Sequence, residues 1–290
     1  MALQTGSVSP LTKRLLYVGV GIAVAAAVVA TTLAVPPVST SPAATGASPG
    51  ARKYPSEVLN LKNWSLTLPT GASGNPEDIT PSKLPTFSNK YFQLNGKRNG
   101  VIFNAPVGGV TTKNSKYPRS ELREMSGEEK AAWTNTSGTH TLIAREAILA
   151  VPPVKPEIVT AQIHDGGDDV IQIRLEGKKL MVQYNDGNSE VPIDTNYKLG
   201  KVFDVKIVAA NSKIEVYYNG KKKADIAKSG TGWYFKAGAY LQSNTEKGDK
   251  VGAPGKVAIY GLKVTHSGGA SGGESGDDKS ESKDTKKPSS

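Results

Sequence analysis

Arg119-Ser120-Glu121-Leu122-Arg123, Gln162-Ile163-His164 and the nine residues Tyr234-Phe235-Lys236-Ala237-Gly238-Ala239-Tyr240-Leu241-Gln242 hold the side chains with the most chemical potential in this chain. All three segments alternate, and a period of two is the pattern of a β-strand with different faces. Arg119, Glu121 and Arg123 then share one face while Leu122 turns to the core. Gln162 and His164 share a face with Ile163 turned away. Tyr234, Lys236, Tyr240 and Gln242 form a polar row over Phe235, Ala237, Ala239 and Leu241. Gly238 would leave a gap between Lys236 and Tyr240 where something bulky could lie against the backbone. Two phenols, an ammonium, guanidiniums and an amide suit an anionic, hydroxyl-rich ligand, and an amide beside an imidazole suits a site that binds and deprotonates it. Each segment also has a plainer reading. The arginine strand could be a solvated ladder in which Glu121 merely offsets two arginines, rather than a carboxylate clamp in which Glu121 fixes the guanidinium geometry and Arg119 is offered to the ligand. A lone strand histidine is more often structural than catalytic, and Gln162 two residues back is what raises His164.

The elements that must position these residues are strands. From Tyr54 to His266 the signals are mostly of period two, broken by Gly, Asn, Asp and Pro clusters, so an all-β domain is expected. Strands are expected at Val58–Leu68, Gly100–Phe103, Arg119–Met125, His140–Leu149, Ile158–His164, Val170–Leu175, Leu180–Tyr184, Val202–Ala209, Lys213–Tyr218, Trp233–Leu241 and Lys256–Val264. Glu176-Gly177, Asp186-Gly187 and Asn219-Gly220 are turns of the antiparallel hairpin kind. So many strands without βα alternation predict two packed antiparallel sheets, a sandwich or jelly roll. A short helix is expected near Ile79–Lys83. Asp165-Gly166-Gly167-Asp168-Asp169 lacks the spaced ligands and distal glutamate of a calcium loop and reads as a tight acidic turn. Lys221-Lys222-Lys223 reads as the solvated start of a hairpin's return strand. No E-x-D-x-E pattern is present, so paired-carboxylate hydrolysis lacks its main support.

Composition narrows the partners. The 290 residues carry a formal charge of +10; setting aside two basic residues before position 50 and the tail from Ser267, with four basic and five acidic, leaves 30 basic against 21 acidic residues. The middle is therefore basic, and its lysines and arginines are spread along the sequence, which favours a polyanion handled in a groove. No nucleic-acid signature is present. With no cysteine, disulfides and thiolate metal sites are excluded, and His140, His164 and His266 are too scattered to show a metal-ligand pattern. No metal or cofactor is expected, and no partner chain: the domain reads as a monomer.

Lys13 and Arg14 precede an uncharged, Ala-, Val- and Leu-rich stretch from Leu15 to Val38. It exceeds the roughly 7 to 15 apolar residues of a signal peptide and matches the ~20 that span a bilayer. Residues 1–38 are thus expected to be a signal peptide or signal anchor, cleavage being favoured by the small residues around Ala34, Ala43 and Ala44, and the domain is expected outside the cell. Any membrane contact would run through an uncleaved segment. Residues 39–53 read as a flexible linker, 54–266 as the folded domain, and 267–290 as a polar tail too poor in apolar residues to fold. Asn63 and Asn135 lie in glycosylation sequons, relevant only in a host that glycosylates exported proteins.

Taken together and in this order, the three segments resemble the signature segments of polysaccharide lyase family 7, the alginate lyases. The resemblance runs from Asn63-Trp64-Ser65-Leu66-Thr67-Leu68-Pro69 to Tyr260-Gly261-Leu262-Lys263-Val264. It implies a β-jelly roll whose concave sheet forms a groove for a polyuronate, cleaved by β-elimination without a metal. Arg119 and Gln162 would then neutralise the uronate carboxylate, His164 would be the base for guluronate, and Tyr240 the acid, serving also as base for mannuronate. Arg123, Lys236 and Gln242 would bind neighbouring sugars and Glu121 would orient, with Tyr234 left between substrate contact and support. Ile163 is the variant the family associates with guluronate-containing blocks. The competing expectations are a noncatalytic module for acidic polysaccharide and a lyase for another uronan such as glucuronan.

Overall fold

A computed structural model describes residues 51–268. In chain order its strands are β1 (Trp64–Ala72), β2 (Asn75–Ile79), β3 (Phe92–Leu94), β4 (Val101–Asn104), β5 (Arg119–Ser126), β6 (Glu129–Lys130), β7 (Thr139–Ala150) and β8 (Glu157–His164). They continue with β9 (Asp169–Glu176), β10 (Lys179–Tyr184), β11 (Ser189–Asp194), β12 (Phe203–Ala210), β13 (Lys213–Tyr218), β14 (Lys221–Ala227), β15 (Tyr234–Leu241) and β16 (Lys256–Ser267). Two sheets form the sandwich. One runs β11-β10-β9-β8-β15-β5-β1-β2, with β6 added to β5, and the other runs β14-β13-β12-β7-β16-β4-β3; every strand pair is antiparallel. This is the expected all-β sandwich.

Alternation sets the register. Leu122, Ile163, Phe235 and Ala237 are wholly buried in the core shared with Phe103, Leu142, Ile207 and Ile259 of the second sheet. Burying each large side chain contributes about 1.5–3 kcal/mol, and a one-residue slip of β5 would exchange Leu122 for Arg123 in that core. Chain reversals follow turn chemistry. Asn219 and Gly220 both have positive φ, 48° and 78°, between β13 and β14, the requirement of a two-residue hairpin turn. Lys221 does begin the return strand. Asp165 Oδ1 accepts from the backbone N–H of Gly167 and Asp168, so the acidic run is a tight turn closed by its own aspartate.

Several expectations need correction. The chain from Val58 to Asn63 is not strand: Pro55–Glu57 forms a 3₁₀ turn and Trp64 N bonds back to Leu61 O, so Leu59 and Leu61 reach the core from a coiled approach and β1 starts at Trp64. The expected helix at Ile79–Lys83 is absent. Ile79 closes β2, and only a short 3₁₀ turn follows, at Leu84–Thr86, where Pro81 and Pro85 each lack the N–H that a longer helix would need. Strands β2, β3, β6 and β11 were not foreseen; they are short or mostly polar, at or near sheet edges, where pairing rather than pattern makes them strands. Arg52, within the expected linker, is already buried and donates to Arg98 O at 3.0 Å. Asn135 is fully buried, its amide bonded to Lys213 O, Lys228 O and Gly230 N, so its sequon is inaccessible in the fold. The expected export segment, most of the expected linker and nearly all of the expected polar tail lie outside the described residues.

Candidate active site

Sequence-distant strands become neighbours in the order β8-β15-β5 at the middle of the first sheet. Across β15 and β5, Tyr240 lies opposite Arg119, Gly238 opposite Glu121 and Lys236 opposite Arg123. Across β15 and β8, Lys236 lies opposite Gln162 and Tyr234 opposite His164. Arg119, Glu121, Arg123, Gln162, His164, Tyr234, Lys236 and Tyr240 therefore meet on the sheet face turned away from the core.

Glu121 is the hub. Its side chain has no solvent exposure; Oε2 takes Arg119 at 3.0 Å and Lys236 Nζ at 2.6 Å, and Oε1 takes Gln162 Nε2 at 2.5 Å. Burial works against its charge, but Lys236 and Arg119 outweigh that and hold the carboxyl below its usual range. Lys236 is pushed down to about 8 by burial and by Arg119, against the pull of Glu121. One carboxylate thus pairs with two cations, Arg119 and Lys236, and with Arg123 opposite Lys236 the cluster keeps an excess of positive charge. Arg119 Nε is buried and has no acceptor among the described residues. An unmatched buried donor of this kind costs about 1–3 kcal/mol until something fills it. The ladder is therefore not a solvated one: Glu121 is buried, offsets Arg119 and Lys236, and fixes the Arg119 guanidinium.

Around the hub stand the two proton-handling groups. The Arg119 guanidinium carbon lies 3.8 Å from the centroid of the Tyr240 ring, and the Tyr240 hydroxyl is 3.0 Å from Ser115 Oγ. Ser115 Oγ also bonds with the backbone of Tyr117. His164 is held below the ordinary imidazole value by burial first and by the Lys236 ammonium second, so it is neutral at neutral pH.

Two expectations change here. Gly238 is no space for a ligand: its φ is 145°, and a Cβ there would meet Ser120 O at 2.6 Å, Glu121 Cα at 2.9 Å and Phe103 Cδ1 at 2.9 Å. β15 carries one more residue than β8 between the pairs Ala237↔Ala161 and Tyr240↔Val159, so the glycine sits in a bulge that lets β15 lie close on β5. Gln242 falls just past β15, buried, with Oε1 accepting from Arg174, which also pairs with Glu157. It belongs to a neutralised cluster rather than to an open row. Ser115, Gln172 and Arg174 were not singled out from sequence. Gln172 is the direct cross-strand partner of Gln162, with Nε2 3.4 Å from Gln162 Oε1, and alternation along β9 would have found it and Arg174. Nothing local marks Ser115, a loop residue whose role depends on a strand 125 positions away.

Sandwich and site together define an antiparallel β-sandwich that presents a cationic cluster beside an imidazole and two phenols on one sheet face. A family model described as alginate lyase matches residues 59–266. The chain is 25% identical over 284 residues to an alginate lyase of Klebsiella pneumoniae, covering 73% of this chain and 91% of that protein. Among solved structures it is similar to the alginate lyase AlgAT5 of polysaccharide lyase family 7, with 50% identity, a TM-score of 0.71 and coverage of 74% of this chain and 99% of that one. An alginate lyase from Corynebacterium sp. gives 48% identity, a TM-score of 0.72 and the same coverage. The chain belongs to the alginate lyases of polysaccharide lyase family 7 and is a polysaccharide lyase with the family's jelly-roll sandwich.

Proposed function

We propose that the protein cleaves alginate by metal-independent β-elimination, with Arg119 and Gln162 on the uronate carboxylate, Tyr240 as acid, and His164 as base for guluronate. The carboxylate beside C5 is already anionic and resists the charge that forms when the C5 proton leaves, so neutralising it is the central task. The observation that carries this reading is the Glu121 hub. It holds Arg119 and Gln162 side by side and leaves Arg119 Nε–H unmatched, a donor for a carboxylate. In the reaction the base takes the C5 proton, the electron pair of that bond forms the C4–C5 double bond, the C4–O bond breaks, and Tyr240 protonates the departing oxygen. One new chain end is a 4,5-unsaturated uronate. For mannuronate, proton and leaving group share a side of the ring and Tyr240 serves in both steps. Arg123 and Lys236 bind neighbouring sugars; Glu121 orients. Three organic cations supply the positive charge that this step requires, which supports chemistry without a metal. Endolytic cleavage by a monomer, a lean toward guluronate-containing blocks through Ile163, and action outside the cell after export by residues 1–38 complete the proposal.

The test is the ultraviolet absorbance of the unsaturated end on polymannuronate, polyguluronate and glucuronan. Tyr240→Phe should lose turnover by about 10²-fold or more on every alginate block while retaining binding, since only the hydroxyl is removed. His164→Asn should depress polyguluronate cleavage far more than polymannuronate cleavage. Equal losses would mean that His164 positions or neutralises instead of acting as base for one epimer. Faster cleavage of glucuronan than of either alginate block would replace the substrate.

A further inference from the structure

Tyr234 has no step in that chemistry, and its surroundings assign it one. His164 Nδ1 lies 2.5 Å from the carbonyl oxygen of Asp165 and 3.1 Å from the Tyr234 hydroxyl. A carbonyl oxygen has only lone pairs, so that contact requires a proton on Nδ1. With Nδ1 protonated, the Tyr234 hydroxyl can meet it only as a second acceptor. Both hydrogen-bond contacts of the ring among the described residues are at Nδ1, which leaves Nε2 as the unpartnered lone-pair nitrogen. The Tyr234 ring lies beside the imidazole, with centroids 5.4 Å apart and planes 26° from parallel. Its own place is set from the third strand, by the Arg123 guanidinium carbon 3.8 Å from its centroid. Tyr234 is buried among these groups.

We propose that Tyr234 is a positioning residue for His164: with the Asp165 carbonyl it holds the imidazole as the Nδ1–H tautomer, and its stacked ring keeps Nε2 turned to the groove as the base. This rests on the reading of His164 as base for guluronate. It also gives Arg123 a second task, since the guanidinium that faces the polymer fixes the ring that fixes the base.

Nitrogen-15 NMR of the full chain labelled at histidine tests this directly. The chain has three histidines, and the His164 signals are those that vanish in His164→Asn. The expected wild-type spectrum has a protonated Nδ1 and an unprotonated Nε2. Tyr234→Leu, which removes ring and hydroxyl, should mix the tautomers and lower kcat on polyguluronate about 10-fold with KM changed less than ~2-fold, because the base is misplaced and the binding groups are not. The loss on polymannuronate should be smaller, and Tyr234→Phe should recover most of it by restoring the ring. A wild-type Nε2–H tautomer overturns the proposal. So does a Tyr234→Leu enzyme that keeps the wild-type tautomer, loses turnover equally on both polymers, or changes KM alone as a direct sugar contact would. Failure of the base assignment reads separately: His164→Asn would then retain polyguluronate turnover, or lose turnover equally on both polymers, whatever the nitrogen shifts show.

Discussion

Glu121 meets three donors with two oxygens, and that arithmetic governs the residue scale. Removing it would leave Arg119, Lys236 and Arg123 as mutually repelling cations without that counter-charge, which is why a buried carboxylate is tolerated here. Lys236 shows the other side of the balance. It faces Arg119, Arg123, Glu121, Gln162 and His164, and burial with Arg119 pushes it down to about 8. As pH rises through that value the ammonium is lost and the polymer loses a cation. KM for alginate should therefore climb above pH ~8, and Lys236→Arg, which stays charged, should flatten that limb in a pH profile of kcat/KM. Unfolding is not the cause of such a limb. A depressed lysine pKa means that the unfolded chain holds the proton more tightly, so this group's contribution to stability rises with pH between about 8 and the ordinary lysine value. An unchanged basic limb in Lys236→Arg would assign it to another group.

At the scale of elements, the bulge at Gly238 decides where Tyr240 stands. β15 is central, paired with β8 and β5, and buried on both faces for most of its length. Its alternation alone would carry one even register through both partners, yet the pairing with β8 shifts between Ala237 and Tyr240 while the pairing with β5 does not. Tyr240 thus stays aligned with Arg119 while the β8 side advances. Gly238→Ala would place a Cβ at 2.6 Å from Ser120 O in a backbone conformation that L side chains rarely adopt. Strain of about 1–3 kcal/mol adds to the clash, and β15 must lift from β5. The expected outcome is a lower denaturation midpoint together with loss of turnover, because Arg119 and Tyr240 separate; a fully active variant of wild-type stability would refute the role given to the bulge. Alternation was legible for β5, β8 and β15 because apolar side chains mark their core faces. The bulge was not, since a glycine that makes room for a ligand and one that makes room for a neighbouring strand look alike until the neighbour is known.

Over the whole molecule, β5 and β15 are tied to the opposite sheet at one buried carboxylate. Glu124, next to Arg123 but on the core face of β5, accepts from Trp133 Nε1 at 2.9 Å and from Phe235 N at 2.8 Å, and meets His266 Nε2 at 2.5 Å. His266 on β16 in turn touches His140 on β7, Nδ1 to Nδ1 at 2.7 Å. Glu124→Ala leaves two donors unmatched, the buried Phe235 N–H and the half-buried Trp133 indole N–H, at a cost of about 2–6 kcal/mol in total, and calorimetry should show Tm lower by roughly 5–20 °C. A drop below about one degree would mean that the link carries no load between the sheets. The histidines here looked merely scattered in sequence, 126 positions apart, and no local pattern could pair them. By itself the sequence determined the all-β class, the core faces, the hairpin turns and the residue types of the site, because periodicity and turn chemistry act within a few residues. Only the tertiary structure decided that β8, β15 and β5 lie side by side, that Glu121 gathers Arg119, Lys236 and Gln162, that Gly238 is filled by a neighbouring backbone, and that Tyr234 faces His164. Those depend on strand order and register, which long-range packing sets and no short window of sequence contains.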